Sequence, residues 1–369
     1  MQEHSKDNIS DIKYCFGCGV CAIICPKKII DLSLNKDGFY TPKLTDVSAC
    51  IHCGLCKDVC SFSHETIANN VPVIESHAAW SNNTEARQRC SSGGIGYELC
   101  KTAMQNNYSV CAVRYNTDKQ YAEHYVAKDI HELEQSIGSK YIQSYTINGF
   151  SEFKRYGKYI VIGTPCQIDS LRRYTKKLKI EDNFILIDFF CHSVPSILIW
   201  DKYLKLHKEE YIQSVSWRNK QYGWHDSYHI VINGCPSQNS IFFKLFFGDY
   251  CVNPACNKNC KFKYNKSSAD IRIGDLWGKT YAADDKGTSA VVVFTPKGQE
   301  LLKQTDVTLV EHPFEVVAEG QMKKNVSIAY TSLIVKYLLH KKNISLASPI
   351  WTMVFLFEKS LRKIIKSIR

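Results

Sequence analysis

The chain has 369 residues, 44% of them hydrophobic and 22% charged, with 19 glycines, 10 prolines and a net charge of +11. These values exclude a disordered, collagen-like or disulfide-stapled miniature protein and leave room for two or three units of about 100–200 residues each. The 17 cysteines are too few for a secreted disulfide scaffold, and the polar opening Met1-Gln2-Glu3-His4-Ser5-Lys6-Asp7 has no apolar signal segment behind it. The expectation is a cytoplasmic protein whose reduced thiols serve metal or redox chemistry.

The first element in chain order is the run Cys15-x2-Cys18-x2-Cys21-x3-Cys25-Pro26, which recurs as Cys50-x2-Cys53-x2-Cys56-x3-Cys60-Ser61. In the bacterial ferredoxin arrangement three closely spaced thiolates wrap one cubane, and the fourth, displaced thiolate crosses to the other. That assigns Cys15, Cys18, Cys21 and Cys60 to one [4Fe–4S] cluster and Cys50, Cys53, Cys56 and Cys25 to a second. Gly17, Gly19 and Gly54 let backbone amides approach the cluster sulfides. Zinc is the alternative, but it prefers paired C-x2-C units with a longer spacer and fits two such runs poorly. Ser61 stands where the repeat expects proline, a change that relaxes the backbone after Cys60 and spares the ligands. Asp37-Gly38-Phe39-Tyr40 reads as a turn entering a short strand, and residues 61–74 as a linker. Residues 1–66 are thus expected to form an α+β ferredoxin-like dicluster module.

Residues 73–320 read as a larger α/β domain with a mixed, partly parallel sheet. Ser91-Ser92-Gly93-Gly94 precedes a helix over Ile95–Met104, a start that suits either a phosphate or a plain N-cap. Tyr159–Gly163 and Phe184–Phe190 have the continuous apolar character of strands covered on both faces, each leading into a helical pattern, Gln167–Lys177 and Pro195–His207. Strand-rich segments are expected around 213–247 and 270–295. Cys166 and Cys191 fall at strand ends, where α/β proteins collect ligands. With Cys256 and Cys260 they supply four thiolates for a third cluster, with Cys251 as a substitute; inert buried cysteines and a loop zinc site are the alternatives. Cys90, Cys100, Cys111 and Cys235 read as isolated small hydrophobes.

Residues 321–369 form a basic tail. Lys341, Lys342, Lys359, Arg362, Lys363, Lys366 and Arg369 face Glu358 alone, and apolar residues recur from Ile350 at near-helical spacing. Such a helix suits peripheral contact with an anionic membrane surface, an acidic partner, or packing on its own domain. No segment is long enough to span a bilayer, and no nucleic-acid module is present.

Several of these pieces together resemble the coenzyme F420 hydrogenase/dehydrogenase beta-subunit family. They are the ferredoxin pair, Cys90-Ser91-Ser92-Gly93-Gly94, Gly138-Ser139-Lys140-Tyr141, Gly163-Thr164-Pro165-Cys166-Gln167, Cys191-His192-Ser193-Val194-Pro195, the Cys256/Cys260 loop and Ile273-Gly274-Asp275-Leu276-Trp277-Gly278. The resemblance runs from about Tyr14 to Gly278. It implies an FAD in the large domain beside an iron–sulfur cluster, with Ser92, Gly93 and Gly94 cradling phosphates and Lys140 and Thr164 nearby as charge and hydrogen-bond partners; His192, a lone histidine beside a strand end, reads either as a structural hydrogen-bonder or as a proton donor to the flavin or its substrate. Members are associated with bacterial surface-polysaccharide biosynthesis. Two departures stand out: three residues rather than two separate Cys256 from Cys260, and Leu276 replaces an aromatic. The expected activity is electron passage between a flavin-reacting hydride carrier or substrate and [4Fe–4S] clusters, with a redox partner protein or reduced carrier. The alternative is a non-catalytic ferredoxin-like electron-transfer or docking subunit.

Overall fold

A computed structural model of the chain describes residues 8–207, 211–237 and 240–368. The N-terminal module is built on the repeat seen in the sequence. Helices Val20–Ile24 and Leu55–Asp58 each start at a left-handed glycine, Gly19 (φ 70°) and Gly54 (φ 73°), where a side chain would strain the cysteine loop. Strands β1 (Ile30–Leu34) and β2 (Tyr40–Leu44) form an antiparallel hairpin, closed at Gly38 as the turn signal predicts.

The remaining strands are β3 (Glu75–Ser81), β4 (Ser109–Asn116), β5 (Tyr121–Ala127), β6 (Ser144–Tyr145), β7 (Tyr159–Ile162), β8 (Phe184–Phe189), β9 (Val215–Ser216), β10 (Val231–Ile232), β11 (Cys235–Pro236), β12 (Ile271–Asp275), β13 (Ser289–Val293) and β14 (Val307–Glu311). Nine of them make one mixed sheet in the order β14-β3-β13-β12-β8-β7-β4-β5-β6. The centre, β12-β8-β7-β4, is parallel, so the carboxyl ends of β7, β8 and β12 open on one edge. Alternation along the central strands explains their unbroken apolar runs. Ile160, Ile185 and Ile187 pack with Ile95 and Leu99 of helix Ile95–Gln105, whereas Val161, Phe184 and Leu186 pack with Ile168 and Leu171 of helix Pro165–Leu178. That second face also takes Val20, Ile24 and Val59, so the N-terminal module shares a core with the sheet.

One sequence expectation needs correction, and the structure adds detail to two others. The strand-rich reading of 213–247 yields only the small β11-β10-β9 sheet followed by a helix, Ile241–Phe247, whose Ile241, Phe242, Leu245 and Phe246 share one buried face. The linker over 61–74 is pinned: Ala68 N donates to Asp169 Oδ1 at 2.6 Å and Asn69 N to Ser268 Oγ at 3.0 Å. The tail is two helices, Ser332–His340 and Ile350–Ile368, whose Val335, Leu338, Trp351 and Val354 join a core with Trp200, Trp217 and Phe242. Among the described residues no helix is long and apolar enough to cross a membrane.

β8 and β12 are locked by a buried pair. Arg272 Nε and Nη2 donate to Asp188 at 2.7 and 2.6 Å, and both side chains are fully buried. Burial pushes the Asp188 carboxyl up, and Arg272 opposes that shift. Arg272→Leu leaves a buried carboxylate without its partner and is expected to cost about 3–5 kcal/mol. The check is anaerobic chemical denaturation, with Arg272→Lys, which keeps the charge, losing less.

Candidate functional site

In the N-terminal module the two predicted cysteine sets separate in space. Burial pushes the thiols of Cys15, Cys18 and Cys21 up, and their closeness to one another and to Cys60 adds to the shift. Cys60, the displaced fourth cysteine of the second run, thus lies beside the first run. Cys25, Cys50, Cys53 and Cys56 line one small cavity at the far side, where Cys53 is exposed and Asn8 Nδ2 lies 3.7 Å from Cys50 Sγ. Amide approach is visible at Gly17 N, 3.2 Å from Cys15 Sγ. Thiols gathered in fours, half of them buried, form a soft donor set that fits iron–sulfur ligation.

Ser61 does more than replace a proline. Its N–H donates to Ser170 Oγ at 3.1 Å, and its hydroxyl donates to Asp169 Oδ2 at 2.6 Å. Cys18 Sγ lies 3.3 Å from the same Ser170 Oγ, so the second cysteine run and the first meet on one helix turn of the large domain.

Cys166 begins that helix, Pro165–Leu178, directly after β7, and Cys191 follows β8. Cys256 sits in the short helix Pro254–Lys258, with Cys260 just beyond it. The structure brings the four together: burial raises Cys166, Cys191 and Cys256, and the thiols of Cys191, Cys256 and Cys260 act on one another, with Cys166 feeling Cys256, Cys191 and also Cys18. Lysines hold the loop in place. Lys263 Nζ donates to the carbonyls of Cys191 (2.7 Å) and His192 (2.6 Å), and Lys261 Nζ to those of Ser61 (2.6 Å) and His64. Cys251 is elsewhere, in the aromatic core beside Lys336. Among the described residues no three His, Cys, Asp or Glu close around a single metal ion; a four-iron cube spaces its thiolates more widely.

Above this group opens a cleft of about 440 Å³, at the carboxyl edge of the sheet. A volume of this order suits a small-molecule or cofactor site. Ser91, Ser92, Gly94, Ile95 and Gly96 line one wall, so the first turn of helix Ile95–Gln105 faces the space with the positive end of its dipole. Gly93 stands apart: its N–H donates to Ser289 Oγ at 2.9 Å and its Cα packs against β3, leaving no room for a Cβ beside Ala79 O. Ser92 Oγ donates to Thr288 O at 2.9 Å. Lys140 reaches the cleft wall, but its Nζ donates to the carbonyls of Gln135, Ser136 and Ile137, and burial lowers it to about 7. Thr164 lies at the floor with Oγ1 3.1 Å from Cys166 Sγ. His192 lines the cleft and is held by Asp249, Nε2 to Oδ1 at 2.9 Å. Ser193 Oγ, two residues from Cys191, is buried with no partner among the described residues.

Sequence reasoning missed the residues that back the far wall, formed by Tyr228, Asp275 and Trp277. Arg218 Nη1 donates to both carboxylate oxygens of Asp275, at 2.8 and 2.7 Å, and its guanidinium stacks over Tyr228 (4.7 Å) and Trp277 (5.4 Å). Trp224 stacks on Trp277 at 5.0 Å and donates to Asp275 Oδ1 at 2.8 Å. The Asp275/Trp277 pair in the Gly-Asp-Leu-Trp-Gly segment was the available signal; its partners lie some fifty positions earlier, in a stretch with no motif. Leu276, in place of an aromatic, is fully buried with Val292 and Phe294. Of the four cysteines set aside, Cys100 and Cys111 are core residues, Cys90 lines the cleft and Cys235 is exposed.

A dicluster module docked on a mixed α/β sheet, with a further thiol group at the base of a ligand cleft, defines an iron–sulfur electron-transfer protein of the oxidoreductase class. Residues 14–64 match the 4Fe-4S dicluster domain. Residues 76–148 and 156–313 match the N-terminal and C-terminal parts of the coenzyme F420 hydrogenase/dehydrogenase beta subunit, together more than half of the chain, and the chain belongs to that family. A chain of the F420-reducing [NiFe] hydrogenase complex from Methanosarcina barkeri is similar in structure at 16% identity, over 75% of this chain and 90% of that one, with a TM-score of 0.47. No curated protein matches the sequence significantly.

Ser61→Pro would restore the repeat's proline, yet it removes both donors to helix Pro165–Leu178. It is expected to destabilise the protein by about 1–3 kcal/mol through the buried acceptors left short of a partner. Iron content should be unchanged, because Cys60 remains; anaerobic thermal denaturation and iron analysis check both halves.

Proposed function

We propose that this chain is a flavin-dependent iron–sulfur oxidoreductase that links two-electron chemistry in the cleft to one-electron traffic through the N-terminal module. The observation that carries the reading is the line of thiol groups. Cys191 and Thr164 line the cleft, Cys166 Sγ lies 3.1 Å behind Thr164 Oγ1, Cys18 Sγ lies 3.3 Å from Ser170 Oγ one helical turn after Cys166, and the Cys25/Cys50/Cys53/Cys56 set lies beyond, with Cys53 at the surface. In this reading Cys15, Cys18, Cys21 and Cys60 hold one [4Fe–4S] cluster, Cys25, Cys50, Cys53 and Cys56 a second, and Cys166, Cys191, Cys256 and Cys260 a third.

A flavin in the cleft supplies hydride acceptance and stepwise electron release. The chain's own residues do the rest. The amides opening helix Ile95–Gln105 offer an anion site, Tyr228 and Trp277 offer ring faces, and Ser193 Oγ has a hydroxyl still to satisfy. His192, oriented by Asp249, is placed to hold or release a proton at the cleft wall. Of the residues assigned to the phosphates by resemblance, Ser92 and Gly94 contribute wall. Gly93 and Lys140 act by fixing the loop, since their donors are engaged with the protein itself. The family resemblance extends the reading to surface-polysaccharide biosynthesis, which makes nucleotide-linked sugars the first compounds to screen.

The test is flavin and iron analysis of protein purified without oxygen. Wild type is expected to release flavin stoichiometrically. Cys166→Ser should lose about four iron atoms per chain and keep the N-terminal clusters. Ser91→Asp retains an acceptor for Ser139 N, 2.9 Å away in the native chain, but sets a negative charge at the anion site. It should raise the flavin dissociation constant about tenfold with iron unchanged, equivalent to roughly 1.4 kcal/mol of lost affinity. Flavin-free protein with intact iron–sulfur absorbance would instead support the electron-carrier reading.

A further inference from the structure

Helix Ile350–Ile368 is amphipathic twice over. Its inner face, Trp351, Val354 and Glu358, belongs to the protein: the two apolar residues enter the aromatic core, and Glu358, 2% exposed, accepts from Thr331 N at 2.9 Å and pairs with Arg362 at 2.6 Å. The outer face carries a second apolar stripe. Met353 (68% exposed), Leu356 (60%), Phe357 (52%) and Ile364 (55%) recur at the i, i+3, i+4, i+11 spacing of one helix side. Lys359, Lys363 and Lys366 lie exposed along the same helix. Its single acid is the buried, already paired Glu358, so the charge this helix shows to solvent is entirely basic. The preceding helix, tied to Glu358 through Thr331, adds exposed Leu333 (78%) and Tyr337 (60%), with Lys341 Nζ 4.6 Å above the Tyr337 ring.

From this we infer that the outer face of helix Ile350–Ile368 docks on an anionic lipid surface. A folded protein rarely leaves so many large apolar side chains exposed together without a partner. Apolar residues on the outer side with lysines free to extend to headgroups are the composition of a helix lying in a membrane interface. An acidic protein would pair with the lysines but would leave the four-residue apolar stripe unmatched. The inner face explains why the helix keeps its orientation on the domain rather than detaching.

Truncating the helix would remove Trp351 and Glu358 from the core, so surface substitutions are the sound probes. Anaerobic holoprotein is mixed with vesicles of phosphatidylcholine alone or with phosphatidylglycerol, and the bound fraction is read by sedimentation. Wild type is expected to bind only the phosphatidylglycerol vesicles, and less as salt rises. Lys363→Glu/Lys366→Glu should weaken binding at least fivefold for each lysine lost, and Leu356→Glu/Phe357→Glu should abolish it. Sedimentation velocity without vesicles serves as the second readout. Equal binding to both vesicle types, wild-type binding by the apolar variant, or a dimer that the apolar variant dissociates would each overturn the inference, the last by assigning the face to a second copy.

Discussion

Asp169, wholly buried near the start of helix Pro165–Leu178, is the point on which the two halves of the molecule are fastened. Its carboxylate accepts from Ser61 Oγ and Ala68 N of the 61–74 segment, from Ser268 Oγ, and from Arg173 Nε one turn along its own helix, so two segments about a hundred residues away on either side meet at one side chain. A charge so placed is tolerable only because each oxygen is satisfied, and that requirement makes the arrangement specific. Electron transfer depends on a short, fixed separation between centres, and here the separation is set by hydrogen bonds at the start of the same helix that carries Cys166.

Other contacts repeat that logic. Gln143 accepts from Tyr40 N at 2.9 Å and donates to Phe16 O at 3.0 Å, bridging the β1–β2 hairpin and the first cysteine loop to the segment leading into β6. Gly17 packs so closely on Gln143 that no side chain fits, and its φ of +70° would strain one in any case. Phe16 meets Phe262 edge-to-face at 6.0 Å beside Cys166 and Cys260. The N-terminal module is thus part of the architecture that closes the cleft, and Phe16 is itself one of the cleft's lining residues.

Much of this was legible from residues close together in sequence. The paired cysteine runs gave the module and the crossing of Cys60. The apolar runs at Tyr159 and Phe184 gave the parallel centre and, through Cys166 and Cys191, the edge at which ligands gather. What escaped notice depends on tertiary placement. Arg218 and Trp224 reach Asp275 only because the segment between β9 and β10 returns to the carboxyl end of β12. The helix Ile241–Phe247 resembles a strand in composition, and packing against Trp200 decides its form. Ser61 read as a weakened proline position because its partners, Asp169 and Ser170, lie more than a hundred residues away. In the tail, the two apolar stripes overlap in sequence, and burial alone separates them.

The central claim is that electrons pass between the cleft and the N-terminal module through the thiol group at Cys166. The direct measurement is stopped-flow spectroscopy under anaerobic conditions, with reduced viologen as the one-electron donor to flavin-loaded protein. The account predicts that flavin absorbance bleaches after the N-terminal clusters reduce in the wild type. In Cys166→Ser the clusters should reduce at the native rate while flavin bleaching slows at least a hundredfold. Equal bleaching rates in the two proteins would contradict it and place the electron route elsewhere.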